Sequence, residues 1–181
     1  LAFNNAAMSW IRSQPSVKYV VLSSLFTQYT SEDWGLYTPE GSRATDSEFV
    51  RAALLSTVQQ LVERGITPVI VSPPPSSGED LGHCLVHAVR TSMAVGACDF
   101  PLSASRVERR GVLELLDAMG PAVRVVRLED FMCANGTCRT RVDNVLLYRD
   151  RVHLTREGAR WLGARAGFYE YVVGSDPGTA H

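Results

Sequence analysis

Three short runs of apolar, largely β-branched residues, separated by stretches with helix signals, set what this chain can fold into. They are residues 17–22 (Val-Lys-Tyr-Val-Val-Leu), 68–72 (Pro-Val-Ile-Val-Ser) and 122–126 (Ala-Val-Arg-Val-Val). Runs of this length and composition read as strands, and the first predicts a buried strand of a parallel sheet. Residues 3–13 place Phe3, Ala7, Trp10 and Ile11 on one side of an amphipathic helix. Thr45-Asp46-Ser47-Glu48 has capping-box form and opens a helix that Gly65 closes. Ser105-Arg106-Val107-Glu108 repeats the pattern and opens a helix that Gly120-Pro121 ends. Thr155 caps a last helix carrying Ala159, Trp161, Leu162 and Ala166. Between the first strand and the second helix, a polar stretch rich in Thr, Ser, Gly and Pro predicts a loop from Ser23-Ser24 to Arg43. Pro73-Pro74-Pro75 stops the second strand sharply.

The order helix, strand, helix, strand, helix, strand, hairpin, helix predicts an α/β domain. Its three layers, α/β/α, enclose a parallel sheet covered by helices on both faces. With no internal repeat and no low-complexity linker, residues 1–173 read as one domain and 174–181 as a flexible tail. Ligands of such sheets bind at the carboxyl ends of the strands. That rule singles out Ser23, Ser24, Ser72 with its prolines, and the loop 150–153.

At 181 residues and 45% hydrophobic content, the chain can bury one sizeable core. Eighteen basic residues against 19 acidic ones give a net charge of -1, so no basic excess points to a nucleic acid. No apolar run approaches the roughly 20 residues that span a bilayer. The opening Leu1-Ala2-Phe3-Asn4-Asn5 has neither the charged start nor the apolar stretch of a signal peptide. So abrupt a start is expected of a piece of a longer polypeptide. Of the four cysteines, Cys133 and Cys138 flank an Asn-Gly turn, which predicts a disulfide-stapled hairpin. Cys84 and Cys98 flank a predicted helix and can pair as well. A zinc site using His83, His87 and Cys84 is the rival reading, but the Cys-x-x-Cys knuckles of structural zinc sites are missing. Disulfides imply an oxidising compartment such as the periplasm.

The chemistry-bearing stretch is Tyr148-Arg149-Asp150-Arg151-Val152-His153-Leu154-Thr155. An aspartate three residues before a histidine lets one loop present a carboxylate and an imidazole together. The carboxylate can hold the ring's tautomer and stabilise its protonated form while the other nitrogen faces a nucleophile. The bland alternative is a loop histidine that only pins the last helix. Arg149 and Arg151 are either solvated or meet an anionic glycan, and Asn135-Gly136-Thr137 reads as turn chemistry rather than a glycosylation acceptor. Trp34, near Tyr29 and Tyr37 in a polar loop, offers an aromatic face for a sugar.

These residues resemble the SGNH (GDSL-like) hydrolases, whose closing block is an Asp and a His three apart before the final helix. More narrowly, the chain is similar to the SGNH domain fused behind the membrane domain of acyltransferase-3 proteins, which O-acetylate bacterial surface polysaccharides. Segments 20–29, 68–75, 133–138 and 147–155 carry the resemblance in the family's order. The family's Gly-Asp-Ser nucleophile block and its Gly-x-Asn-Asp block are both absent; Ser23-Ser24 stands where the latter belongs. The resemblance therefore implies an SGNH-like fold without its first β-α-β portion, with the nucleophilic serine upstream of Leu1. It implies Asp150 and His153 as catalytic residues, and Ser23, Ser24 or Gln28 as oxyanion or substrate contacts. Neither a metal nor an organic cofactor is required.

The activity implied is acyl, and by analogy acetyl, transfer to polysaccharide hydroxyls. Its partners would be an acyl donor, a glycan acceptor, the upstream serine segment and an integral-membrane acyltransferase domain. The location would be the periplasm, as a domain of an inner-membrane protein, or outside the cell. A secreted carbohydrate esterase of the same fold and a non-catalytic glycan-binding module are the alternatives.

Overall fold

A computed structural model describes residues 2–31, 34–38, 40–94, 96–120, 122–164 and 168–173. Its elements are α1 (Ala2–Ser13), β1 (Tyr19–Ser23), a 3₁₀ turn (Thr27–Tyr29), β2 (Gly35–Thr38), β3 (Gly41–Ala44), α2 (Ser47–Val62) and β4 (Thr67–Val71). There follow α3 (Leu81–Arg90), β5 (Phe100–Pro101), α4 (Leu102–Glu108), α5 (Arg110–Met119), β6 (Arg124–Val126) and α6 (Glu129–Met132). The chain ends with β7 (Cys133–Ala134), β8 (Thr137–Cys138), β9 (Arg141–Val142), β10 (Val145–Leu146), α7 (Arg156–Gly163) and α8 (Phe168–Val173). The expected tail 174–181 and Ala166 lie outside the described residues, as do the side chains of Phe3 and Tyr37.

The chain divides into two compact units: Leu1–Val71 with Gly111–Val125, and Ser72–Arg110 with Val126–His181. The first holds all but the last residue of the sheet β1-β4-β6, the α/β arrangement that the alternation of elements predicts. β1 and β4 run parallel, with Tyr19 opposite Thr67 and Ser23 opposite Val71. β4 is the central strand, and its Val69 and Ile70 are fully buried. β1 was expected to be buried too, and is not. Tyr19 and Val21 are 42% and 48% exposed while Val20 and Leu22 are half-buried, because an edge strand with one covered face alternates.

Ile70 anchors a core with Phe26, Val50, Val58, Val112, Leu115, Leu116, Met119 and Val123. α2 ends as Gly65 predicts. That residue sits at φ 69°, its N–H donates to Val62 O at 2.8 Å, and Ile66 N–H donates to Leu61 O at 3.1 Å. The start of α2 differs from expectation. Asp46 is the cap, its Oδ1 accepting from Glu48 N (2.9 Å) and Phe49 N (3.3 Å). Thr45 instead donates its hydroxyl to Trp34 O at 2.6 Å. The predicted loop 23–43 also contains the antiparallel pair β2–β3, whose polar residues carry no apolar alternation to announce it.

The second capping box is likewise not a cap. α4 already begins at Leu102, and Ser105 lies inside it, wholly buried. In this second unit, β5-β8-β7 form a small antiparallel sheet and β9 pairs with β10. Leu81, Leu85, Phe100, Leu128, Met132, Leu147, Tyr148 and Leu162 are buried, with the Phe100 and Tyr148 rings edge to face at 6.4 Å. Cys84 is bonded to Cys98 and Cys133 to Cys138. The latter closes a turn in which Asn135 (φ 51°) and Gly136 (φ 77°) are both left-handed, as a type I′ hairpin turn requires.

Leu116 is fully buried in the first unit's core, so Leu116→Ala is expected to cost about 2–5 kcal/mol in urea unfolding of the chain.

Candidate active site

The loop that presents Asp150 and His153 is closed at its base by an antiparallel bridge between Tyr148 and Leu154. Arg149 N–H donates to His153 O at 2.8 Å, and Thr155 N–H donates to Leu147 O at 2.9 Å. Thr155 then starts α7, its hydroxyl donating to Leu146 O (2.6 Å) and accepting from Gly158 N (2.8 Å). Gly158 is required there, because a Cβ would stand 2.5 Å from Leu147 O. Gly82 plays the same part on α3, where a Cβ would stand 1.8 Å from Arg149 O and 2.9 Å from Asp150 N.

Within this frame Asp150 gathers four donors. Its Oδ1 accepts from Val152 N (3.0 Å) and His153 N (2.8 Å), and Arg149 Nε donates to Oδ2 at 3.2 Å. His153 Nδ1 lies 3.0 Å from both carboxylate oxygens. A carboxylate can only accept, so Nδ1 carries the hydrogen and Nε2 is left with the lone pair. Desolvation pushes the Asp150 carboxyl up, but the hydrogen bonds from Val152, His153 and Arg149 outweigh it. The group is held well below the usual carboxylate range and stays ionised wherever an imidazole titrates. The His153 ring is half-exposed and so open to a reactant. Chemically, the pair is a base with a fixed tautomer and a negative charge placed to stabilise its protonated form.

Ser23, Ser24 and Gln28 belong to the first unit, Asp150 and His153 to the second. Ser23 ends β1 and is exposed; Ser24 is half-buried, its hydroxyl accepting a long 3.4 Å contact from Phe26 N. Gln28 sits in the 3₁₀ turn. Trp34 is exposed, and Tyr29 packs edge-on against Phe26 at 6.2 Å. His83 and His87 lie on α3, but Cys84 beside them is bonded to Cys98, so the zinc alternative loses its thiolate. Among the described residues no three His, Cys, Asp or Glu side chains gather as metal ligands.

The buried polar residues behind the loop are what the sequence reading missed. Arg109 is 3% exposed and pairs with Glu129 at 2.6 Å, also contacting Ser105 Oγ (3.0 Å) and Pro73 O (3.2 Å). Tyr148, held at 1% exposure, donates its hydroxyl to Pro75 O at 2.8 Å. The triple proline is thus held at both ends, by Arg109 at Pro73 and by Tyr148 at Pro75.

The family model describing the SGNH domain fused to AT3 domains matches residues 1–166. The chain belongs to that family. No curated protein matches it. Among solved structures, the periplasmic domain of a lipopolysaccharide acetyltransferase of Salmonella ser. Paratyphi A is similar, with a TM-score of 0.59 at 18% identity. The match covers 92% of this chain and 61% of that one, and at such identity the likeness is one of fold.

Two outcomes are expected of this geometry. Because Asp150 is more acidic folded than unfolded, its contribution to stability is complete above its unfolded pKa of about 3.9. That contribution is lost as pH falls through the folded value. Acid-unfolding profiles should show Asp150→Asn removing part of the stability at neutral pH and flattening the loss below pH ~4. Gly82→Ala forces a methyl onto the Arg149 carbonyl and should cost about 1–3 kcal/mol in thermal unfolding.

Proposed function

We propose that the chain supplies the base half of a Ser-His-Asp triad for acyl transfer to hydroxyls of a bacterial cell-surface polysaccharide. The observation that carries this is the Asp150 carboxylate 3.0 Å from His153 Nδ1, on a chain of the SGNH family. In this reading the serine lies outside residues 1–181, in an upstream segment. His153 Nε2 takes the serine proton as the hydroxyl attacks the acyl carbonyl and the donor's leaving group departs. The ring then returns that proton to the leaving group. In the second half, Nε2 takes the proton of a glycan hydroxyl as its oxygen attacks the serine ester, and returns that proton to the serine oxygen as the ester bond breaks. Asp150 holds Nδ1–H throughout and stabilises the imidazolium of each half-reaction. Ser23, Ser24 and Gln28 are proposed as oxyanion or substrate contacts on the resemblance alone.

The acyl group is acetyl, delivered by an integral-membrane acyltransferase domain, and the setting is the periplasm. The AT3 fusion in the family's description and the acetyltransferase domain with the similar fold support this, and the two disulfides agree with an oxidising compartment. The test is the O-acetyl content of surface polysaccharide, by proton NMR, in cells whose full-length protein carries His153→Ala. Loss of a positioned general base is expected to lower the acetylation rate by about 10²–10⁴-fold. Unchanged acetylation with a stably folded variant would remove the catalytic reading.

A further inference from the structure

We infer that Ser76 is a positioning residue for the Asp150–His153 pair, held in place by the buried Ser105, Arg109 and Glu129. The inference rests on the proposed catalytic role of the pair only for its functional meaning; the geometry stands on its own.

One peptide plane links Ser76 to the pair. Asp150 Oδ1 accepts from Val152 N–H at 3.0 Å, and the carbonyl at the other side of that peptide, Arg151 O, accepts from Ser76 Oγ at 3.1 Å. A peptide bond is rigid and flat, so fixing its carbonyl direction also fixes its N–H direction. Ser76 thereby aims the Val152 N–H at the carboxylate, and through it sets the orientation of the oxygens that meet His153 Nδ1. Ser76 is only 3% exposed, so water does not compete for its hydroxyl. That hydroxyl also accepts from Gly78 N at 3.2 Å.

Ser76 is anchored in turn. Its N–H donates to Ser105 Oγ at 3.1 Å, and the same oxygen accepts from Arg109 Nε at 3.0 Å. Arg109 is held by Glu129 Oε2 at 2.6 Å and by Pro73 O at 3.2 Å, and Arg106 reaches Glu129 Oε1 at 3.2 Å. A buried arginine gives up its hydration, and here Ser105, Pro73 and Glu129 replace that interaction around its fork. Such a fork fixes direction as well as distance. Ser76, Ser105, Arg109 and Glu129 are all buried. They act on the pair through the backbone of Arg151.

The test reads the His153 ring itself. In ¹⁵N NMR of the full chain, at a pH where the ring is neutral, wild type should show the Nδ1–H tautomer in about tenfold excess or more, as a hydrogen bond to a charged acceptor provides. Ser76→Ala removes only the hydroxyl and should bring the two tautomers towards parity in a folded protein. Ser76→Thr, which keeps the hydroxyl, should retain the wild-type ratio. A wild-type ratio in folded Ser76→Ala would overturn the inference, as would a threonine variant that behaves like the alanine one. Should Ser76→Ala not fold, Ser105→Ala tests the same chain one bond further back, and an unchanged tautomer there would overturn the inference equally. Because no turnover is measured, failure here is distinct from failure of the acetyl-transfer reading, which the polysaccharide assay decides.

Discussion

The ion pair between Arg109 and Glu129 is the interaction on which the second unit's site depends. Both side chains are nearly removed from water, at 3% and 6% exposure. Burying two charges is costly, and their attraction offsets that only when the remaining donors and acceptors are matched. Here they are: Ser105, Pro73 and Arg106 complete the set. Among the described residues no buried side-chain nitrogen or oxygen lacks a partner. Burial lowers the Arg109 pKa while Glu129 works in the opposite sense, yet a guanidinium remains charged. Removing one member would leave an uncompensated charge, a loss of about 3–5 kcal/mol. Such a pair adds little stability over a well-packed apolar substitute. What it adds is direction, fixing the 73–76 segment against α4 and α6.

From that fixed segment the order of dependence runs outward. Ser72 accepts from Leu128 N at 2.9 Å, Pro75 receives the Tyr148 hydroxyl, and Ser76 holds Arg151. The exposed Asp150–His153 loop therefore stands on a buried polar base, with Gly82 and Gly158 permitting the close backbone approaches beside it. A site on a short loop gains from this arrangement, since a loop alone orders its side chains poorly. The carboxylate's four donors come from within five residues, whereas the elements that orient it come from much farther along the chain.

That difference in sequence distance explains what was legible. Asp150 and His153 could be read because their partnership is local, three residues apart, and Thr155 announces the helix that follows. Ser105 could not be read correctly. Its position before Val107-Glu108 imitates a cap, while its partner Ser76 is 29 residues away and Pro73 is 36 from Arg109. The parallel strand β4 was evident from its unbroken apolar run, since both its faces are covered. β1 resembles it in composition but lies at an edge, and neighbours in space, not residues in sequence, decide that. Asp46 displaced Thr45 as a cap because either side chain suits the role, and Trp34 O offered Thr45 a competing acceptor. The Asn135-Gly136 turn was plain, as few other dipeptides accept two left-handed residues.

The most direct measurement of the central claim is peptide mapping by mass spectrometry after a serine-reactive fluorophosphonate is applied to the full-length protein. An adduct is expected on a serine outside residues 1–181, formed quickly in wild type and slowly in His153→Ala. An adduct on Ser23 or Ser24, or labelling that does not depend on His153, would contradict it.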